Sequence, residues 1–265
     1  KRTSLGDWDT ENNYNTRSSD WMTGHFYFYA KATGDNYWNE LRNNTYSMIA
    51  DITTDYSPNT GLMPDFIVGA NPKPAPAKFL EAATDGDYSW NACRFPWRLA
   101  VDYAHTGSPQ AKAAIGKISK FIIAKTGGDP SKIRAGYKLN GDALENYSAM
   151  AFTAPFIAGT IGSTANQDYL NKGWSLMRKN YEGYYEDTIN LLCMLFISGN
   201  WWAPESSSTG GNVTNNTADV NIYDSRVFNA QFYYNKYSDL QKALGNNETA
   251  LKNHWRDYGL KEGRQ

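Results

Sequence analysis

The sequence predicts an all-α chain built from helical hairpins. Three observations carry that expectation. Apolar residues recur at three- and four-residue spacing through most of the first 200 positions, the period of a helix with one buried face. A glycine closes three of these segments, in Thr33-Gly34-Asp35, Thr106-Gly107-Ser108 and Ser198-Gly199-Asn200, where it can adopt the left-handed conformation that ends a helix. No convincing period-two alternation marks a half-buried strand.

Taken in order, a first helix is expected at about 19–32, with Ser18 or Ser19 as its N-cap. Trp38, Leu41, Thr45, Met48, Ile49 and Ile52 make the second apolar stripe, opened by Asp35. A helix at about 92–105 follows a loop stiffened by Pro72, Pro74 and Pro76. Ser108 caps the next, whose stripe is Ala111, Ala114, Ile115, Ile118, Phe121 and Ile122. Leu144, Tyr147, Ala151, Ala154, Ala158 and Ile161 form another stripe, a helix is expected at about 165–180, and Tyr185, Ile189, Leu192 and Phe196 give the last. That is about seven helices before residue 200. Residues 205–218 read as a flexible polar linker rich in Ser, Thr, Gly and Asn. Residues 219–265 read as a small separate module of two or three short helices, around Phe228, Phe232, Tyr233, Tyr237, Leu251 and Trp255.

A net charge of −1 offers no basic surface for nucleic acid. No apolar run approaches the length of a membrane span. Cys93 and Cys193 both fall in apolar helical patterns and read as buried free thiols. His25, His105 and His254 form no ligand motif, so neither a metal nor an organic cofactor is expected. With 9 Trp and 19 Tyr, the chain holds more large amphipathic rings than a core commonly needs, which suits either a carbohydrate cleft or a bulky aromatic core. The chain opens at Lys1 without an initiator Met or a signal peptide, so removal of a preceding segment is expected.

Chemistry is concentrated in Phe79–Arg98, where acidic residues, an amide, two arginines and five aromatics share twenty positions. Aromatic faces beside carboxylates and amides suit sugars, because rings cover C–H faces while polar groups read hydroxyls. Within this stretch, Trp90-Asn-Ala-Cys-Arg-Phe-Pro-Trp-Arg-Leu-Ala-Val-Asp-Tyr103 resembles the signature helix of glycoside hydrolase family 8. Thr33-Gly-Asp-Asn-Tyr-Trp38, Gly61-Leu-Met-Pro-Asp-Phe66 and Tyr184-Tyr-Glu-Asp-Thr-Ile-Asn-Leu-Leu192 resemble further segments of that family, in the same order. The resemblance covers residues 1–204 and implies an (α/α)6 barrel, an inverting mechanism and a secreted bacterial enzyme acting on a β-1,4-linked polysaccharide.

Two departures from the family pattern refine this. Where the endoglucanase-like subgroup has an aspartate base, this chain has Asn91, as in the subgroup of chitosanases and lichenases. That subgroup takes its base from the preceding loop, which makes Glu81 in Phe79-Leu80-Glu81 the candidate catalytic base. Asn91 would then hold the water or a sugar hydroxyl. The early motif that carries the family's general acid is missing, so the resemblance implies the C-terminal half of a barrel, with the N-terminal half as its partner and the acid outside the chain. Chitosan and mixed-linkage β-glucan are the substrates implied, ahead of cellulose or xylan.

The remaining candidates are substrate-binding. Arg94 lies one helical turn beyond Asn91 and can meet sugar oxygens or form a salt bridge, whereas Arg98 reads as a structural salt bridge. Of Tyr88, Trp90 and Trp97, at least one is expected as a stacking platform. The resemblance adds Arg17, Asp20, Asp65, Tyr184 and Tyr185. Asp85 and Asp87 compete with Glu81 for the catalytic role, although Asp85-Gly86-Asp87 reads equally as a turn. A non-catalytic carbohydrate- or cell-wall-binding protein is the alternative. Half a toroid should also expose apolar helix faces and associate.

Overall fold

The structure is a computed structural model that describes residues 1–6, 9, 14–203, 228–259, 262 and 264. Among the described residues seven α-helices precede residue 200: α1 (Thr23–Thr33), α2 (Tyr37–Asp55), α3 (Phe95–Thr106), α4 (Pro109–Lys125), α5 (Met150–Gly159), α6 (Gln167–Met177) and α7 (Tyr184–Ile197). The odd-numbered helices form a row in which α1 meets α3, α3 meets α5 and α5 meets α7. α2 lies on α1, α4 on α3 and α5, and α6 on α5 and α7. The chain therefore winds as hairpins in two layers. All ten residues of α5 are buried, which accounts for a sequence apolar on every side.

The glycine punctuation acts as the sequence suggests. Gly34, Gly107 and Gly199 take φ of 69°, 69° and 76° at the ends of α1, α3 and α7. Ser108 Oγ accepts the Ala111 N–H at 3.2 Å and opens α4, and Asp35 Oδ1 accepts the Tyr37 N–H at 2.8 Å ahead of α2. Between layers, the buried Asp102 of α3 receives Arg42 Nη2 of α2 on both oxygens, at 2.9 and 3.0 Å. Tyr46 Oη and Thr106 Oγ1 also donate to it, the latter at 2.7 Å. α1 comes so close here that a Cβ on Gly24 would lie 3.1 Å from Asp102 Cα.

Three sequence expectations need correction. A small antiparallel sheet exists, β1 (Thr16–Arg17), β2 (Phe66–Val68) and β3 (Lys73–Pro74), with Ile67 opposite both Thr16 and Pro74. Strands of two or three residues are too short to show alternation. The first helix begins at Thr23, and neither Ser18 nor Ser19 caps it. Ser18 Oγ donates to the Pro64 carbonyl at 2.7 Å and Ser19 Oγ to Asp20 Oδ1 at 3.2 Å, inside a separate 3-10 turn. α5 starts at Met150, so Leu144 and Tyr147 of the expected stripe lie in a loop that Tyr137 ties by isolated bridges to Tyr88 and Ala143.

Both cysteines are buried free thiols. No described helix is long and apolar enough to cross a membrane. The expected linker at 205–218 lies outside the described residues. Beyond it, α8 (Ala230–Lys236), α9 (Ser238–Leu244) and α10 (Glu248–His254) enclose their own cluster of Phe228, Tyr233, Leu240, Leu251 and Trp255.

Candidate active site

The loop that carries Glu81 is fixed by its backbone. Lys78 takes φ 58°, a left-handed conformation uncommon for a residue with a side chain, and its N–H meets the Ala82 carbonyl at 2.8 Å. Asp85, 1% exposed, accepts the Leu80 and Glu81 N–H groups on Oδ2 at 2.7 and 3.0 Å and the Ala82 N–H on Oδ1 at 2.8 Å. At Gly86 a Cβ would stand 2.3 Å from the Ala75 carbonyl oxygen, so only glycine lets the loop close onto that residue.

A second turn carries Asn91 into the start of α3. The buried Asp65, just before β2, accepts the N–H groups of Ser89, Asn91 and Ala92 on Oδ1 at 3.1, 3.1 and 2.6 Å. Burial pushes the Asp65 carboxyl up to about 7, against those three donors, which favour the ionised form; the neighbouring Glu81 charge adds to the rise. The two turns are stitched together, since Asp65 N–H donates to the Asp87 carbonyl at 2.8 Å and Phe66 N–H to the Asp85 carbonyl at 3.0 Å.

The side chains then meet. Asn91 Nδ2 donates to Glu81 Oε2 at 2.8 Å. Arg94 Nη2 donates to Asn91 Oδ1 at 3.0 Å and its Nε to the Asn91 carbonyl at 3.2 Å. A guanidinium can only donate, so Arg94 fixes which end of the amide is oxygen and turns the nitrogen toward Glu81. From β1, Arg17 brings Nη1 to 3.7 Å from Glu81 Oε1, while its Nε donates to Asp20 Oδ2 at 3.0 Å. Asp20, Arg17, Glu81, Asn91 and Arg94 thus form one chain of polar contacts. The Glu81 side chain is 48% exposed to solvent.

Trp90 borders this chain, 37% exposed, its ring centroid 5.0 Å from Phe152 and 6.0 Å from Tyr185. Tyr185 Oη donates to the Trp90 carbonyl at 2.5 Å, and its ring lies 5.9 Å below the Arg94 guanidinium. Burial pushes the Tyr185 phenol well up. Tyr184 projects into solvent.

Several expected ligand-facing residues are placed otherwise. Tyr88 is wholly buried against Phe152 and Phe156, with Oη donating to the Cys93 carbonyl at 3.1 Å. Trp97 is buried edge-on to Trp201. Neither ring has a face open for a sugar. Asp65 lies beneath the loops and serves their amides. Arg98 forms no described salt bridge: it stacks on Trp97 at 4.3 Å, its Nε is buried without a hydrogen-bond partner, and burial pushes its guanidinium down to about 10. Asp85 is closed off by its three amides, and Asp87 is only partly exposed, with burial pushing its carboxyl up. Among the described residues no group of three or more His, Cys, Asp or Glu could hold a metal ion.

Comparison with known proteins places this geometry. Residues 5–199 match the family described as glycosyl hydrolases family 8. A β-glucanase of Niallia circulans is 44% identical over 203 residues, covering 75% of this chain and 50% of that protein. An endoglucanase of Bacillus sp. strain KSM-330 is 42% identical over 201 residues, covering 76% and 43%. The solved apo structure of a β-1,3-1,4-glucanase from Paenibacillus sp. X4 superposes with a TM-score of 0.75 at 43% identity, covering 77% of this chain and 55% of that one. The chain spans about half the length of these relatives. With the family matched over most of its length, the chain belongs to glycosyl hydrolases family 8.

Proposed function

We propose that the chain is the base-bearing part of a secreted, endo-acting, inverting glycoside hydrolase whose substrate is a β-linked glucan. The observation that carries this reading is the hydrogen bond from Asn91 to a half-exposed Glu81 carboxylate, within a family whose similar members are named β-glucanase and endoglucanase. Inversion needs a carboxylate that takes a proton from an attacking water, and a separate acid about 6.5–9.5 Å away that protonates the leaving oxygen. Glu81 is the base. Asn91 holds Oε2, leaving Oε1 to receive the water's proton as its oxygen bonds to the anomeric carbon. Arg94 sets the Asn91 amide, and Arg17 and Asp20 meet sugar hydroxyls beside it. Trp90, with Tyr185 behind it and Tyr184 further out, offers rings for stacking. The acid belongs to a complementary half of an (α/α)6 barrel, of which these seven helices are one part.

Mixed-linkage β-glucan is the favoured polymer, supported by the name of the Paenibacillus relative. Chitosan is the second, supported by Asn91 paired with Glu81. The test is reducing-end release from both polymers and from carboxymethylcellulose, using this chain and the same chain extended N-terminally to its relatives' length. The extended protein should cut mixed-linkage glucan and release the inverted anomer, read by NMR. Glu81→Gln should lower its kcat by about 10²–10⁴-fold, the range for loss of a general acid or base. Full activity in Glu81→Gln would refute the assignment. Glucan binding by the extended protein without cleavage would favour a carbohydrate-binding role.

A further inference from the structure

We propose that Asp85 is a positioning residue that acts through Glu81, an inference that rests on Glu81 being the base. The segment Leu80–Ala82 is exposed and belongs to no helix or strand, so nothing regular fixes the carboxylate it carries. Three successive backbone N–H groups of that segment converge on the one buried Asp85 carboxylate, at 2.7, 3.0 and 2.8 Å. Asp85 is held in turn by its own carbonyl, which accepts the Phe66 N–H of β2 at 3.0 Å. The preceding residue, Asp65, holds the Asn91 turn in the same manner. Both partners of the Asn91–Glu81 hydrogen bond are thereby referred to adjacent residues at the start of one short strand, Asp65 and Phe66. The loop cannot shift relative to Asn91 without breaking hydrogen bonds from its amides to a buried carboxylate.

The Asp85→Asn variant separates this role from catalysis. A carboxylate accepts on both oxygens, whereas an amide has one acceptor oxygen and turns an NH₂ group toward N–H donors. In the extended, active protein, Asp85→Asn should lower kcat by about 10²-fold, the scale of a displacement of about 1 Å at a reacting group, and leave KM unchanged. Hydrogen exchange should quicken at Leu80, Glu81 and Ala82 while Ser89, Asn91 and Ala92 stay protected. In the Glu81→Gln background Asp85→Asn should cost nothing further, because a residue acting through another is not additive with it. Additive losses, or unchanged exchange at the three amides, would overturn the proposal while leaving Glu81 as base. Full activity in Glu81→Gln alone would instead remove the base reading. Should Asp85→Asn fail to fold, exchange in the unaltered protein decides: free exchange at Leu80, Glu81 and Ala82 sinks the proposal, and protection that Asp85→Glu retains supports it.

Discussion

Burial holds the Asp65 carboxyl at about 7, far above its ordinary 3.8, even with three N–H groups on one oxygen. Between those two values the folded chain keeps a proton that the unfolded chain has released. Raising the pH through this window therefore favours unfolding, by an amount on the order of a few kcal/mol once both states are ionised. Asp65→Asn keeps an acceptor oxygen for Ser89, Asn91 and Ala92 and cannot ionise. Its urea stability should fall less than that of the unaltered chain between pH 4.5 and pH 8, and parallel losses would rule out Asp65 as the titrating group. Asp65 also shows where sequence reading reaches its limit. Glu81, Asn91 and Arg94 were legible as a group, because the family pattern and a spacing of three residues place them together. Tyr88 and Trp97 were not, since a ring in a polar loop or an amphipathic helix gives no sign of whether it faces a cleft or the core. The service of Asp65 and Asp85 to backbone amides was hidden for a related reason. Their partners are N–H groups, which every residue type but proline supplies alike. Gly86, beside Asp85, was the one local signal of a backbone forced close to another.

Among the elements, helices were readable because most stripes recur over several turns and Gly34, Gly107 and Gly199 close α1, α3 and α7. The sheet was not, because Thr16–Arg17 and Lys73–Pro74 are too short to carry a period, and Thr16–Arg17 pairs with β2 about fifty positions later. The tie between α2 and α3 was equally hidden. Asp102 sits within an apolar stretch of α3, and its partner Arg42 lies sixty positions earlier. In the fold, Asp102 is completely buried and satisfied by Arg42, Tyr46 and Thr106. Removing one member strands a buried charge, which typically costs about 3–5 kcal/mol. Arg42→Ala should therefore lower the urea-unfolding free energy on that scale. A loss below about 1 kcal/mol, the value of a surface pair, would show that solvent reaches Asp102.

For the molecule as a whole, α7 ends the row of odd-numbered helices with apolar side chains uncovered. Leu191 is 57% and Leu195 37% exposed, one turn apart and in line with the exposed Tyr184 and Thr188 Oγ1, which turns back to the Tyr184 carbonyl. Contiguous exposed apolar surface of this kind marks an interface or promotes association. The chain spans about half the length of its relatives, and the proposed complementary half of the barrel is the covering this face suits. Two leucines converted together, Leu191→Glu and Leu195→Lys, distinguish a covered face from a free one. In the 265-residue chain the pair should reduce self-association in sedimentation velocity and leave the melting temperature unchanged, since little buried contact is lost. In the chain extended to its relatives' length, the same pair should destabilise by at least roughly 2 kcal/mol per leucine, the scale of a large-to-small change in a core. An extended protein that melts unchanged with both substitutions would mean that α7 stays on the surface and that the barrel closes elsewhere. A loss confined to the extended protein would mean that the added part of the chain packs on this helix and covers both leucines.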